Sequence, residues 1–337
     1  MRIIFMGTPQ FALPSLNMIV KAHKVLCVVT QPDKPKGRGM KVSAPPVKFA
    51  AEQLGIPVLQ PEKISEIAGR LIELKPDLAV VVACGHILTK EILGIPGKGC
   101  VNLHASLLPE LRGPEPIAWS VIRGLKKTGL TTMRMDEGID TGDIILQKEM
   151  EILPDDTKGS LEQKMSIEGA QLLCETLKKF EAGSVPSKKQ GSNFSIAPVI
   201  KKQDCRIDWS KTAQEIHNFI RGLDPEPSAF TFLEGKRLKI LKSNPSSPLA
   251  CSSKLEERSR AGEVRRTPHE SSDSIGDRGE GGAGRAGSIV DIKSDEILVS
   301  TGRGILSILE LQPEGKRVMT AKEYLAGHAL KKGLLFE

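Results

Sequence analysis

The chain has 337 residues, of which 39% are hydrophobic and 26% charged, so it contains enough apolar material for two domain cores. Its net charge of +7 permits a nucleic-acid partner without requiring one. No apolar run reaches the roughly 18 residues of a membrane-spanning helix, and the apolar start meets Gly7 too early for an export signal, so we expect neither. Six cysteines without a C-x-x-C pair predict reduced thiols in a cytoplasmic protein and no metal site.

Short β-branched runs alternate with longer amphipathic stretches over the first 110 residues, which is the pattern of a parallel sheet with crossover helices. The predicted strands are 3–6, 25–29, 58–59, 78–83 and 101–104, and the predicted helices are 11–20, 45–55 and 62–75. This order predicts an α/β domain built on an open, doubly wound, Rossmann-like sheet. Because the first strand ends in Gly7-Thr8-Pro9 rather than in G-x-G-x-x-G, a dinucleotide cofactor is disfavoured.

A different pattern begins at residue 205, where one helix over 213–221 is followed by short strands. These strands, at 230–233, 236–241, 289–292, 297–300 and 304–311, predict a small OB-like β-barrel. Residues 244–288 are rich in Ser and Gly and poor in large aliphatic side chains, which predicts a disordered insertion without an assigned role. We therefore expect one domain over 1–190, a linker over 191–204 and a second domain over 205–337.

Three polar residues stand out as candidates for chemistry. Asn102 and His104 alternate on one strand and so share a face, which is unusual in a strand buried on both sides. Asp140 lies in a loop whose glycines, Gly138 and Gly142, allow sharp turns. An amide that holds an oxyanion, an imidazole that moves a proton and a carboxylate that orients it suit acyl transfer without a covalent intermediate. The plain alternative is a hydrogen-bonded polar pair at a strand end.

The surrounding motifs resemble those of the folate-dependent formyltransferases. They are the strand 102–104, the Ser106-Leu107-Leu108-Pro109 turn with Arg112-Gly113, and the loop 138–143. From the 5–9 opening to 311–316, nearly the whole chain outside 244–288 resembles the branch of that family that acts on methionyl-tRNA. The resemblance makes 1–190 the catalytic domain and the barrel a tRNA-binding domain.

The resemblance implies transfer of a formyl group from 10-formyltetrahydrofolate to the α-amino group of methionine on initiator tRNA, for translation initiation. We expect a cytoplasmic enzyme that acts as a monomer and uses no metal. The catalytic residues would be Asn102, His104 and Asp140, and Ser106 would bind ligand or cap the turn rather than act as a nucleophile. The folate site would be formed by Val82, Ala83, Gly85, Ile87, Ser106, Leu107, Leu108, Pro109, Gly138 and Asp143.

A basic loop follows the second strand. Between Asp33 and Lys48 it carries no acidic residue, and its basic residues include Lys34, Lys36, Arg38 and Lys41. A charge run in a loop is ordinarily a solvated face, but this one leaves the sheet at the edge where ligands gather. The resemblance implies that the loop enters the acceptor stem of the tRNA, with Arg38 at its first base pair.

Three other functions stay open from the residues alone. One is a folate-dependent formyltransferase for a small amine, such as glycinamide ribonucleotide or a nucleotide sugar, which would share Asn102, His104 and Asp140. The others are a tRNA-binding module without catalysis and a nicotinamide-dependent oxidoreductase. The basic loop and the second domain disfavour the small amine.

Cys84 stands where family members commonly have Tyr, and we expect it to be a small buried residue rather than a reactive thiol.

Overall fold

The computed structural model describes residues 1–36, 41–246 and 285–337. The chain divides into two compact units, one of Met1–Val121 with Leu125–Ile200 and one of Ile122–Gly124 with Lys201–Glu337. Among the described residues, the helices are all too short or too polar to span a bilayer.

Up to residue 200 the chain alternates strands and helices, and a long helix closes this part. The elements are β1 (Arg2–Gly7), α1 (Leu13–Ala22), β2 (Lys24–Val29), β3 (Lys34–Lys36), β4 (Lys41–Ser43), α2 (Pro46–Gln53), β5 (Val58–Leu59), α3 (Ala68–Leu74), β6 (Leu78–Val82), α4 (Lys90–Gly94), β7 (Cys100–His104), α5 (Pro116–Ile122), β8 (Lys127–Arg134), β9 (Ile144–Glu151) and α6 (Lys158–Glu181).

Seven of these strands form one sheet in the order β5-β2-β1-β6-β7-β8-β9. The pairs from β5 to β7 are parallel, which confirms the predicted open α/β sheet, and apolar clusters cover both of its faces. The strand order reverses between β1 and β6, the kind of position where α/β sheets bind ligands. Beyond β7 the sheet continues with two antiparallel strands, β8 and β9, that the sequence patterns did not predict.

Two short segments of the basic run after β2 are paired strands. β3 pairs with β4 in a separate two-stranded sheet, with Lys34 opposite Ser43. The predicted contact residue Arg38 lies between these strands, outside the described residues. For Lys36 and Lys41 the structure describes the backbone pairing alone.

The second unit is built on an antiparallel sheet. Its elements are α7 (Ala213–Gly222), β10 (Ala229–Leu233), β11 (Lys236–Ser246), β12 (Ile289–Ile292), β13 (Ile297–Ser300), β14 (Ile305–Pro313), β15 (Met319–Thr320) and α8 (Ala321–Gly327). The strand order is β10-β11-β14-β13-β12, with β15 also paired to β14, and this six-stranded, barrel-like sheet confirms the predicted fold class.

The prediction of a disordered insertion over 244–288 is wrong at both ends. β11 continues to Ser246, which pairs with Ile305 of β14, because backbone hydrogen bonds extend the ladder past the last apolar side chain. At the other end Ser288 is buried, and its carbonyl accepts a hydrogen bond of 2.9 Å from the Ser300 N–H. The remainder of the predicted insertion, 247–284, lies outside the described residues.

Candidate functional site

Asn102 and His104 both lie on β7, an inner strand of the sheet. β6 and β8 pair with β7 on its two sides, so the positions of both residues are fixed by backbone hydrogen bonds. The His104 side chain is 6% exposed and Asn102 is half-buried. Within the described part of the chain, no hydrogen bond engages the Asn102 amide. This amide is therefore available to a ligand.

The two ring nitrogens of His104 face two different acceptors. Nε2 lies 3.0 Å from the backbone carbonyl oxygen of Leu111, and Nδ1 lies 3.6 Å from Oδ1 of Asp140. A carbonyl can only accept, so the contact with Leu111 assigns a proton to Nε2. Nδ1 is then the nitrogen that can gain or lose a proton beside the carboxylate. The structure thus brings together two of the three residues that the sequence singled out.

Asp140 reaches His104 on a loop, residues 135–143, that leaves and rejoins the sheet at one place. The Met135 N–H donates to the carbonyl of Cys100 at 2.9 Å, and the Arg134 N–H donates to the carbonyl of Asp143 at 2.9 Å. The loop therefore starts beside the amino-terminal end of β7 and extends back to His104. A Cβ on Gly142 would lie 1.7 Å from the carbonyl oxygen of Arg134, so this return requires glycine.

The backbone at Asp140 is held in an uncommon conformation. Its φ of 52° lies in the left-handed region, which costs a residue with a Cβ about 1–2 kcal/mol. Its carboxylate is held from the other side, since Oδ2 accepts a hydrogen bond of 2.8 Å from the Gly113 N–H. Residues 110–113 thus contact both partners of the pair, His104 through Leu111 and Asp140 through Gly113.

The 106–109 turn is fixed mainly through hydrogen bonds. Ser106 is fully buried, and its hydroxyl donates to the carbonyl of Glu110 at 2.5 Å. The Leu108 N–H donates to the Thr131 hydroxyl at 3.1 Å, and the Leu108 side chain is buried with Met133 and Ile144. Leu107 and Pro109 are half-buried. The bonded Ser106 hydroxyl fits the predicted capping role, and a ligand at Ser106 or Leu108 would meet mainly backbone groups.

The segment 82–88 follows β6 at the point where the strand order reverses. Val82 and Cys84 are buried, whereas Ala83, Gly85 and Ile87 are exposed, Ile87 by 85%. The exposed residues are available to a ligand, but the buried side chain of Val82 is not. Burial raises the pKa of the Cys84 thiol to about 11, which agrees with the expected small buried residue.

The remaining predicted site residues are distributed as follows. Gly138 is exposed, and Asp143 accepts a hydrogen bond of 2.5 Å from the Ser187 hydroxyl.

The Lys34 side chain is exposed and donates to Gln31 Oε1 at 3.2 Å. Lys48, the last residue of the basic run, is paired with Asp33 at 2.8 Å, which removes it from the free positive charge of that run. A hydrogen bond from Gln60 and the Lys48 ammonium together lower the pKa of Asp33.

Sequence reasoning assigned no role to Gln190 or Ser195. Gln190 bonds to both Arg112 and the 135–143 loop, and Ser195, inside the predicted linker, bonds to Leu111. The segment carries no helical or strand periodicity, so nothing in the sequence indicated these contacts.

In the described part of the chain, no group of three or more His, Cys, Asp or Glu side chains could hold a metal ion.

Both units match known families. Residues 1–177 match the family described as formyl transferase, and residues 199–329 match the C-terminal domain of formyl transferase. A methionyl-tRNA formyltransferase from Thermodesulfovibrio yellowstonii is 44% identical over 98% of this chain and 97% of its own length. The one from Caldanaerobacter subterraneus is also 44% identical, over 100% of both chains.

A solved structure shares the fold at low sequence identity. The N-formyltransferase from Helicobacter canadensis, in complex with folinic acid and dTDP-3-aminofucose, is 20% identical, with a TM-score of 0.63. The similarity covers 92% of this chain and 98% of that one.

Proposed function

The chain belongs to the formyl transferase family, and we propose that it transfers a formyl group from 10-formyltetrahydrofolate to the α-amino group of methionine on initiator tRNA. The family predicted from the sequence is confirmed, and the protein is an enzyme that formylates methionyl-tRNA. The observation that carries the proposed chemistry is the placement of His104 between the Leu111 carbonyl and Asp140, on the same strand face as Asn102.

The identity of the donor is supported by the exposed groups near this site. Ala83, Gly85, Ile87 and Gly138 present surface, and Asp143 and the backbone of 106–109 add polar groups. A neighbour with the same fold was solved with folinic acid, a reduced folate. We propose that these residues bind the donor.

The proposed reaction proceeds through a tetrahedral adduct. The methionine amine attacks the formyl carbon, a C–N bond forms, and the carbonyl oxygen becomes negatively charged. The Asn102 amide and the His104 Nδ1–H donate hydrogen bonds to this oxygen. The adduct then collapses and the bond between the formyl carbon and the folate nitrogen breaks. Nδ1 gives its proton to that nitrogen and regains one from the amine, directly or through a water.

Asp140 stabilises the imidazolium that this mechanism requires. Its Oδ1 lies 3.6 Å from Nδ1, while the second oxygen is fixed by the Gly113 N–H at 2.8 Å. Because Nε2 is committed to the Leu111 carbonyl, we assign proton movement to Nδ1. Asn102, His104 and Asp140 all come from one chain, so the proposed monomer suffices for catalysis. We place the enzyme in the cytoplasm, where its tRNA substrate is made.

An acceptor assay separates this function from a small-amine formyltransferase. The purified protein is incubated with 10-formyltetrahydrofolate and either charged initiator tRNA, glycinamide ribonucleotide or an amino sugar nucleotide. We expect the donor to be consumed with the tRNA, and kcat/KM to be highest for it. A higher kcat/KM for either small amine would overturn the proposed acceptor, and no turnover with any of them would overturn the chemistry.

Recognition of tRNA is proposed for Lys34, Lys36, Arg38 and Lys41. Replacing Arg38 by alanine is expected to reduce kcat/KM for initiator tRNA by about 10- to 100-fold, the cost of losing a bidentate contact to a base edge. Folate affinity should stay unchanged. Initial rates with intact tRNA and donor binding by fluorescence measure the two effects.

The matched control for Arg38 is Arg70→Ala. Arg70 is an exposed arginine of α3 whose ion pair, at 3.0 Å, is with Glu73 in the same helix. We expect this variant to formylate tRNA like the wild type, because exposed ion pairs contribute little. Equal losses of tRNA formylation and folate binding in Arg38→Ala would count against its proposed contact.

A further inference from the structure

Gln190 connects the two segments that hold the proposed catalytic pair. Its Oε1 accepts hydrogen bonds from Nε and Nη2 of Arg112, at 3.0 and 2.7 Å. Its Nε2 donates to the backbone carbonyls of Asp140 and Gly142, at 2.9 and 2.8 Å. Arg112 can only donate and the carbonyls can only accept, so the partners fix the orientation of the amide. All four hydrogen-bonding positions of this side chain are used.

The same stretch of chain also holds the other partner of His104. The Leu111 N–H donates to the Ser195 hydroxyl at 2.9 Å, and the Arg112 backbone pairs with Ser195 and Ala197 in both directions. Leu111 has a φ of 57°, so the residue whose carbonyl accepts from His104 is held, like Asp140, in the left-handed region. Such conformations persist where surrounding contacts determine them, and here residues 190–197 supply those contacts.

We propose that Gln190 is a positioning residue that sets the distance between the Asp140 carboxylate and His104. It touches neither the reacting atoms nor the Asp140 side chain, and it acts through the Asp140 backbone. Arg112 completes the connection, with its guanidinium also lying over the Phe194 ring at 4.7 Å. The inference rests on the proposed function, because it presupposes that Asp140 acts on His104.

The chemistry of the contacts requires an amide. Gln190→Glu keeps the length of the side chain and an oxygen toward Arg112, but it replaces two N–H donors by an oxygen that faces two carbonyl oxygens. This repulsion would displace the 135–143 loop and with it Asp140. Gln190→Met fills the same space, removes all four hydrogen bonds and adds no charge, so it tests the same role without the repulsion.

The experiment is a double-mutant cycle with the full-length enzyme, 10-formyltetrahydrofolate and charged initiator tRNA. We expect Gln190→Glu and Gln190→Met each to lower kcat by about 10- to 100-fold, the cost of a misplaced catalytic group, with KM for both substrates within about threefold of wild type. In an Asp140→Asn background, where the backbone carbonyl at 140 remains, the Gln190 substitutions should have little further effect. A purely structural role would instead lower activity in both backgrounds.

Ser192→Ala is the matched control, because Ser192 is exposed and has no hydrogen bond with the described residues. We expect it to keep wild-type kcat. Wild-type kcat in both Gln190 variants overturns the inference, and so does an effect of equal size in the Asp140→Asn background. If Asp140→Asn itself retains wild-type kcat, the proposed function fails instead. Should Gln190→Glu not fold, Gln190→Met carries the same expectations.

Discussion

Replacing Asn102 by alanine is expected to lower kcat for formyl transfer by about 100- to 1,000-fold, the usual cost of removing one oxyanion donor. The amide is half-buried on β7 and not hydrogen-bonded within the described residues, so its loss should affect the transition state more than the fold. We expect the thermal midpoint and the affinity for charged tRNA to stay close to those of the wild type. Steady-state kinetics at saturating donor and tRNA measure kcat directly.

The control for this substitution is Asn17→Ala, an exposed asparagine of α1, which should keep wild-type activity. If Asn102 holds the oxyanion, it stabilises the transition state and not the bound substrates. Its loss should then lower kcat and kcat/KM by the same factor. If Asn102→Ala lost tRNA affinity but turned over normally at saturation, Asn102 would be a binding residue and the proposed role would be wrong.

Replacing Asp140 by asparagine is expected to lower kcat by about 100- to 10,000-fold, the range of general acid–base catalysis, because proton movement at His104 depends on this carboxylate. Asparagine has nearly the same shape and can still accept the Gly113 N–H, so the loop should keep its conformation. What is lost is the negative charge 3.6 Å from Nδ1 of His104, which stabilises the imidazolium as the adduct forms. Single-turnover rates with charged initiator tRNA would measure this loss.

Glu137→Gln removes a negative charge from the same loop without touching the pair. Glu137 is exposed and forms an ion pair of 3.5 Å with Lys90, which is expected to contribute little. Formylation by this variant should match the wild type. A kcat for Asp140→Asn equal to that of Glu137→Gln would show that the carboxylate at 140 does not act on His104 during the reaction.

The parallel part of the sheet was predictable because its strands are covered on both faces. Runs such as 3–6 and 78–82 are continuously apolar, and that pattern is read directly from the sequence. β8 and β9 were not predicted, because Thr128, Thr131 and Thr132 are buried polar residues and β9 alternates buried and exposed positions only in part. Their places depend on hydrogen bonds, such as that between Thr132 and Thr176, that no local pattern encodes.

The candidate site was predictable to the extent that side chains define it. Asn102 and His104 were found because polar residues at alternate positions are out of place on a buried strand, and Asp140 because glycines flank it. The contacts made by Leu111, Gln190 and Ser195 could not be predicted, since they involve backbone groups brought together by residues far apart in the chain. Counting the charges in the sequence likewise could not show that Lys48 is paired with Asp33.

The 135–143 loop begins and ends next to Arg134, with one end bonded to Cys100 and the other to Arg134 itself. Its two ends are therefore anchored independently of what lies between them. Residues between these anchors, Gly142 excepted, could be gained, lost or exchanged without shifting the register in which β8 and β9 pair. Evolution or design could thus move the Asp140 carboxylate to suit acceptors of other shapes, while the sheet that carries His104 stays the same.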